Sequence, residues 1–322
     1  MGRKRKGRPV HGWLTLDKPP GMTSTQALSR VRQLFGAEKA GHGGTLDPIA
    51  TGVLPIAFGE ATKTVAWAME GEKVYRFTLR FGEQRTTDDC EGEVTATSDV
   101  RPTMEAIAAV LPAFMGEIEQ TPPQFSAIKI NGERAYDLAR DGEQVPLEPR
   151  LVRVDRLSLT QRIDDDSVEI EAVCGKGVYM RSLARDIAAA LGSCGHVAAL
   201  RRFSVGQFTL DVAISLDRLV EIAQTPELDK LLLPIETALD DIPALALTED
   251  EAGRLRMGQS LMMIRRQDVN RLPILPLPDG VDEDDPEIGA AAPIVLASCR
   301  GRPVALVQID GVAVYPVRVL NL

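Results

Sequence analysis

An α+β fold with a mixed sheet is expected for the larger part of this chain, followed by a small β-rich unit at the C-terminal end. Three observations lead there. Segments alternating apolar and polar residues, above all Val74-Tyr-Arg-Phe-Thr-Leu-Arg-Phe81, read as half-buried strands. Segments with apolar residues three and four apart, such as Met180, Leu183, Ile187 and Leu191, read as helices. The two kinds follow one another without a regular βαβ beat, which points to α+β rather than an all-parallel sheet.

In chain order, residues 1–10 are strongly basic at their start and are expected to form a disordered arm. Residues 12–18 alternate like a strand. Thr23 or Ser24 can cap a helix carrying Leu28, Val31, Leu34 and Phe35 on helical spacing. Ala61–Met69 reads as a second helix and Val74–Phe81 as a strand. Met104–Phe114 and Arg134–Arg140 read as helices, 151–160 and 167–174 as strands, and Met180–Leu191 as a helix. A boundary is expected near Asp241-Ile-Pro243, giving domains at 11–245 and 246–322. Thr248-Glu-Asp-Glu251 is a helix start. Beyond it, Ile294–Ala297, Val304–Ile309 and Val312–Val319 favour strands, and Asp310-Gly311 between two apolar runs signals a hairpin. Residues 267–292, rich in Pro and Asp, are expected to be a disordered polar loop.

The chain has 322 residues, enough for one large domain and a small one. Its hydrophobic content of 44% supplies a core, and its charged content of 26% is ordinary for a soluble protein. No apolar run approaches the roughly 18 residues a membrane helix needs. No apolar signal-peptide core follows the basic start, so a cytoplasmic protein is expected. The four cysteines form no Cys-x-x-Cys pair and only three histidines accompany them, which argues against a zinc site. Net charge is −9, but acid concentrates in Asp164-Asp-Asp166 and Asp282-Glu-Asp-Asp-Pro-Glu287. Basic residues cluster elsewhere: the N-terminal tail, Lys39, Lys63, Arg181, Arg185, Arg201 and Arg202. A basic groove on an acidic body is therefore expected.

The densest local signal is Lys39-Ala-Gly-His-Gly-Gly-Thr-Leu-Asp-Pro-Ile-Ala-Thr-Gly-Val-Leu54. It sets one carboxylate, Asp47, between a glycine cluster and Pro48. Glycine lets backbone approach a ligand closely, and proline stiffens the following step. On spacing alone this is either a turn or a site. The Walker pattern and the dinucleotide fingerprint are both absent.

The segment His42-Gly-Gly-Thr-Leu-Asp-Pro-Ile-Ala-Thr-Gly-Val-Leu-Pro55 resembles the catalytic loop of the bacterial tRNA pseudouridine-55 synthase family. Four further blocks resemble that family in its order. They are Gly12-Trp-Leu-Thr-Leu-Asp-Lys-Pro-Pro-Gly-Met-Thr-Ser24, Thr121–Tyr136, Gly175–Asp186 and Gly195–Arg202. One departure is the pair Gly43 and Gly44, where a hydroxyl residue often stands; it could loosen the loop but spares Asp47.

The resemblance implies a pseudouridine-synthase catalytic domain with a C-terminal PUA-like RNA-binding domain. It implies isomerisation of a uridine in the T-arm loop of tRNA at position 55. The glycosidic C–N bond breaks, the uracil turns and a C–C bond forms, with no atom gained or lost. No cofactor, metal or nucleotide is expected, and the protein is expected to be a monomer. Asp47 is implied as the catalytic carboxylate, either as nucleophile or as base and electrostatic partner of the sugar. Arg181 is implied as its partner, and the first turn of a helix is a place where a cation gains from a nearby anion. Tyr75 is implied to stack on the base, with Tyr179 and Leu200 lining the pocket. His42 is implied to contact RNA, and Lys18 either touches phosphate or fixes the first loop. The enzyme would flip its target nucleotide out of the loop. Two other readings stay open on residues alone. One is a non-catalytic RNA-binding or RNA-folding protein. The other is a carboxylate-pair glycosidase using Asp88 or Asp89 beside Asp47, which the aromatic content of 4% disfavours.

Overall fold

The fold was obtained as a computed structural model describing residues 7–126, 146–273 and 293–322, with the backbone of two short strands, Lys129–Ile130 and Glu133–Arg134. The main sheet contains β1 (Gly12–Lys18), β2 (Thr51–Phe58), β3 (Lys73–Phe81), β4 (Gly116–Gln120), β5 (Arg150–Arg162), β6 (Ser167–Cys174), β7 (Gly195–Val205) and β8 (Ile214–Ser215). Their spatial order is β8-β1-β2-β7-β3-β6-β5-β4. Short strands Ala40–His42 and Phe208–Thr209 pair with β2 and β7. The β8–β1 and β2–β7 pairs are parallel and the others antiparallel, so the sheet is mixed, as the α+β expectation holds.

Helix α1 (Ser24–Phe35) starts at a capping box: Thr23 accepts from the Gln26 N–H, and the Gln26 side chain accepts from the Thr23 N–H. It ends at Gly36 in the left-handed conformation. Ala27, Val31 and Phe35 face the main core with β1, β2 and β3 residues such as Leu14, Ile56 and Phe77. Helix α2 (Val65–Glu70) is shorter than expected. A 3-10 turn, Gly59–Lys63, precedes it, and Thr64 spends its hydroxyl on the Ala61 carbonyl between the two. Helix α3 (Met104–Val110) likewise gives way to a 3-10 turn, Leu111–Phe114, where Pro112 has no N–H to continue the helix. Helix α4 (Met180–Ala190) buries Met180, Leu183 and Ile187 as its spacing requires. The helix expected over Arg134–Arg140 lies outside the described residues, except that Arg134 belongs to a two-residue strand.

A second sheet holds β9 (Ala244–Ala246), β10 (Leu261–Met262), β11 (Ile294–Cys299), β12 (Arg302–Asp310) and β13 (Ala313–Val319), ordered β9-β11-β12-β13-β10. The β12–β13 hairpin turns at Gly311, as Asp-Gly signalled. Helix α5 (Glu249–Arg256) has a capping box from Thr248 and Glu251, and packs Ala252 and Leu255 into this sheet's core. Two seams join the sheets. Leu296 and Leu306 pack with Leu239 and Trp67. Leu320 is buried in a cluster with Trp13, Val53, Val205 and Phe208 on the main sheet. Lys63 donates to the Val319 carbonyl at 2.7 Å, and the Asn321 N–H donates to Glu60 at 2.8 Å.

Two segments expected to be disordered are partly tied down. Residues 1–6 of the arm lie outside the described residues, but Arg8 donates to the Phe35 carbonyl and pairs with Asp229, and Val10 is buried. Residues 274–292 of the polar loop also lie outside. Its beginning is ordered, because Arg271 bridges Glu251 and Asp268 and holds the Glu251 carboxyl down at about 2.

Candidate active site

The Asp47 loop joins the short strand Ala40–His42 to β2, and its neighbours hold it at nearly every residue. The Gly43 N–H donates to the Pro55 carbonyl at 2.8 Å. Ser24 at the start of α1 exchanges two hydrogen bonds with the Leu46 backbone, at 2.8 and 3.0 Å. The Pro48 carbonyl accepts from the Gly21 N–H at 2.8 Å. Gly44 has φ +110° and its carbonyl accepts from Arg202 at 3.1 Å. A side chain at Gly44 would be strained, whereas at Gly43, which has no positive φ, an added Cβ would meet Pro55 at 3.4 Å.

Arg202 and Gly52 explain one another. Gly52 has φ +99°, and a Cβ on it would lie 2.1 Å from the Arg202 carbonyl. Strand β7 therefore passes directly against the end of the loop. The Arg202 side chain, 1% exposed, reaches back to the carbonyls of Gly44, Thr45 and Val53. It also meets the Tyr75 hydroxyl at 3.4 Å. A buried guanidinium is costly unless its donors are used, and here they hold the Asp47 loop.

Asp47 meets Arg181 in the first turn of α4. Arg181 Nη2 donates to Asp47 Oδ1 at 3.1 Å, and Nε lies 2.9 Å from Oδ2 without hydrogen-bond alignment. Arg181 is 4% exposed, and also donates to the Thr87 and Phe125 carbonyls. Its Nη1 lies 3.8 Å from the buried carboxylate of Asp89. Burial pushes the Asp47 carboxyl above the ordinary aspartate range; Arg181 opposes the rise, Asp89 adds to it and Lys18 opposes it. The Asp47 side chain is still 32% exposed to the cleft, and water there limits the rise.

The cleft above this pair has a volume of about 280 Å³, a size suited to a small ligand part such as one base. Tyr75, Tyr179, Leu200, Lys73 and Arg202 share its wall with Asp47 and Arg181. Burial raises the pKa of both tyrosines, so each presents a neutral ring. Gln120 fixes Tyr179 by bonding both its N–H and its carbonyl, at 2.8 and 3.1 Å. Strand β7 delivers Leu200 and Arg202 through two irregularities in its pairing with β3, between Val197 and Ala199 and between Arg202 and Ser204. Such bulges re-aim side chains next to sites.

Two residues from the sequence reading stand elsewhere. Lys18 is 0% exposed, so its position corrects the expectation of a substrate contact. Its ammonium donates to the carbonyls of Pro19 at 2.8 Å, Met22 at 2.6 Å and Pro48 at 3.4 Å, fixing the first loop to the Asp47 loop. Burial brings its pKa down to about 8. His42 pairs along β2 opposite Ile56 rather than lining the cleft. Burial, then Arg202, lowers its pKa, and the ring is neutral at pH 7.

The expected basic groove is corrected in its membership. Arg181 and Arg202 are buried, Lys63 is engaged with Glu60, Arg185 with Asp88 and Asp186, and Arg201 with Asp17. Lys39 remains at the surface. Asp88 and Asp89, considered as a second sugar-hydrolysing acid, are 6% and 3% exposed and turn toward arginines. Sequence reasoning missed Asp89 as a partner of Arg181 and Arg202 as the clamp of the loop. The Asp-Asp-Cys-Glu-Gly turn was the only local sign of the first. No group of residues suited to a metal ion occurs among the described residues. Among them no helix is long and apolar enough to cross a membrane.

The family described as TruB family pseudouridylate synthase (N terminal domain) matches residues 32–180. The tRNA pseudouridylate synthase B C-terminal domain matches residues 181–240. The tRNA pseudouridine synthase B of Caulobacter sp. (strain K31) is 50% identical over 322 residues, 100% of both chains. That of Gluconacetobacter diazotrophicus is 59% identical over 263 residues, 81% of this chain and 86% of its own. Among solved structures, the archaeal box H/ACA sRNP Nop10-Cbf5 complex contains a chain with the same fold, with a TM-score of 0.70 and 24% identity, covering 100% of this chain and 93% of that one. Sequence identity along the whole length and the shared architecture agree: this chain belongs to the TruB family of pseudouridylate synthases.

Proposed function

We propose that this enzyme converts uridine to pseudouridine in tRNA, at position 55 of the T-arm loop. The observation that carries the reading is the Asp47–Arg181 pair at the base of a cleft walled by Tyr75, Tyr179 and Leu200. A uracil flipped into this space would meet an aromatic face, an apolar wall and one carboxylate. Stacking offsets part of the few kcal/mol that flipping costs.

Asp47 supplies the negative charge beside the ribose while the glycosidic bond breaks. Arg181 fixes its direction, and the clamps on the loop keep it from turning away. Tyr75 and Leu200 hold the detached uracil while it turns, so that C5 replaces N1 at the sugar. The hydrogen on C5 is lost and N1 gains one, so the reaction balances without a redox partner, energy donor or metal. His42, set back from the cleft, serves RNA contact along the loop rather than proton transfer.

On this reading the catalytic domain runs from residue 11 to just before β9, two residues short of the boundary expected at 245, because Ala244–Ala246 pairs within the second sheet. The β-rich module from β9 to 322 is a PUA-like surface that helps hold RNA. The protein acts as a monomer in the cytoplasm. The test is incubation of the full chain with a tRNA transcript, followed by mapping of pseudouridine. Modification confined to uridine 55, lost in a transcript with cytidine there, is the expected result. Modification at another position, or none, overturns the reading.

A further inference from the structure

One turn further along α4 from Arg181, a second arginine builds a separate network. Arg185 Nη1 donates to Asp88 Oδ2 at 2.9 Å, Nε donates to Asp186 at 2.9 Å, and Nη2 donates to the Thr121 carbonyl at 3.0 Å. Between the two arginines, the Ser182 hydroxyl donates to the same Thr121 carbonyl at 2.8 Å. One face of α4 thus grips two segments. The turn at 86–92 is held at the Thr87 carbonyl, Asp88 and Asp89. The 121–126 segment is held at Thr121 and Phe125.

The turn itself is unusual. Asp88 has φ +57°, one of two non-glycine residues with positive φ among the described residues. An L-residue in the left-handed region costs free energy unless its surroundings fix it. Reversal at Asp88 lets adjacent residues face different partners: Asp88 turns to Arg185 and Asp89 to Arg181. Backbone bonds between Asp88, Cys90 and Val197 dock one edge of the turn on β7. They do not connect it to α4. Beside Arg181 itself, Arg185 does, and α4 is the helix that aims Arg181.

We propose that Asp88 and Arg185 are a positioning pair for the isomerisation, an inference that rests on the function proposed above. The pair locks the turn to α4, so that Asp89 and the Thr87 carbonyl hold Arg181 in the orientation it needs toward Asp47. Neither residue lines the cleft, so neither touches the base.

The test compares wild type, Asp88→Asn, Arg185→Met, Arg185→Lys and the Asp88→Asn/Arg185→Met double variant, as full-length protein with a tRNA transcript. Single-turnover rate at saturating tRNA, apparent KM and melting temperature are measured for each. Asparagine tolerates positive φ, so Asp88→Asn removes the charge without forbidding the turn. Each single loss should slow the single-turnover rate about tenfold or more while KM moves less than about threefold, the split expected when geometry rather than binding is lost. The double variant should be no more than about twofold slower than the slower single, because both changes break one pair. Arg185→Lys should recover part of the rate, since it keeps the charge without the fork. If Arg185→Met does not fold, Asp88→Asn and Arg185→Lys decide alone. Folded variants with wild-type rates, or losses that multiply in the double, overturn the pair. A wild type that forms no pseudouridine overturns the function and this inference together, whereas an active wild type with unaffected variants overturns only the pair.

Discussion

Both sheets close on apolar residues, but only the main one also buries charge. Among the described residues, every buried charged side chain lies before residue 203: Lys18, Lys73, Asp88, Asp89, Arg181 and Arg202. The second sheet instead closes on Leu245, Leu255, Val295, Val304, Val307 and Val314, with no buried charge. Replacing buried ions by apolar residues is often neutral or stabilising. The main sheet therefore keeps its charges at some cost in stability, and they gather around the Asp47 loop. Buried charge marks where chemistry is assembled, and apolar packing marks where shape alone is needed.

Removing the central charge is the strongest way to break this contrast. Asp47→Asn should lower pseudouridine formation by at least about 10³-fold, the scale on which loss of a central catalytic group falls. Affinity for tRNA should stay within a small factor in a filter-binding assay. Substantial turnover by the variant would remove Asp47 from the centre of the reaction.

Arg181→Met should lower kcat by about 10²-fold and also reduce the melting temperature, since stripping one partner from a buried ion pair can cost about 3–5 kcal/mol. It should also shift the acid limb of the pH–rate profile. With Asp47 acting as the anion, as proposed above, activity falls as pH drops through its pKa. Burial already raises that pKa and Arg181 opposes the rise, so the variant's limb must move to higher pH. A limb unmoved or moved to lower pH would separate the pair electrostatically.

On the apolar side, Leu320→Ala should destabilise the protein by about 2–5 kcal/mol, the usual range for a buried leucine. The rate per folded molecule should stay near wild type. Truncation after residue 245 should therefore be read with care for stability: the lost module carries Leu320, which fills the main sheet's own cluster. If the module only helps hold RNA, a truncated chain shown to be folded should raise KM for tRNA more than it lowers kcat.

The smallest effect concerns salt. Since several expected groove cations are engaged internally, tRNA binding should fall with salt at a log–log slope of roughly −2 to −4, each phosphate contact contributing about −0.7 to −0.9. Surface cations such as Lys39, Arg254 and Arg256 remain to carry it. A flat response would leave no cationic surface for RNA.

Legibility in the sequence followed burial. Val74–Phe81 could be read because only some of its positions face the core, leaving an alternating pattern. Strand β2 could not, because nearly all of Thr51–Phe58 is buried and Pro55 sits within it. Strand β7 hid for another reason: one irregularity lies on each side of Leu200–Arg202, so the strand as a whole keeps no single period of two. The same bulges bring Leu200 and Arg202 to the cleft, so the site was least visible where the backbone departs most from regularity. Asp47 stood out through its glycines and Pro48. Its meeting with Arg181 joins residues far apart in the chain; the family resemblance suggested it, and the place of Arg181 in the first turn of a helix was a second hint. The sequence left Lys18 between a phosphate contact and fixing the first loop, because the three backbone carbonyls that take up its ammonium are encoded by no side-chain pattern.

The Leu320 seam also sets an order of events. A ribosome makes Trp13 early and Leu320 last among the members of their cluster. Strands β1 and β2 can pair on the emerging chain, but the pocket beside Trp13 stays unfilled until the second sheet has been synthesised and has turned back. Contacts of such large sequence separation form slowly. During that interval the nascent chain shows an apolar gap beside Trp13, next to the Asp47 loop, a surface on which a chaperone could act before the protein is finished.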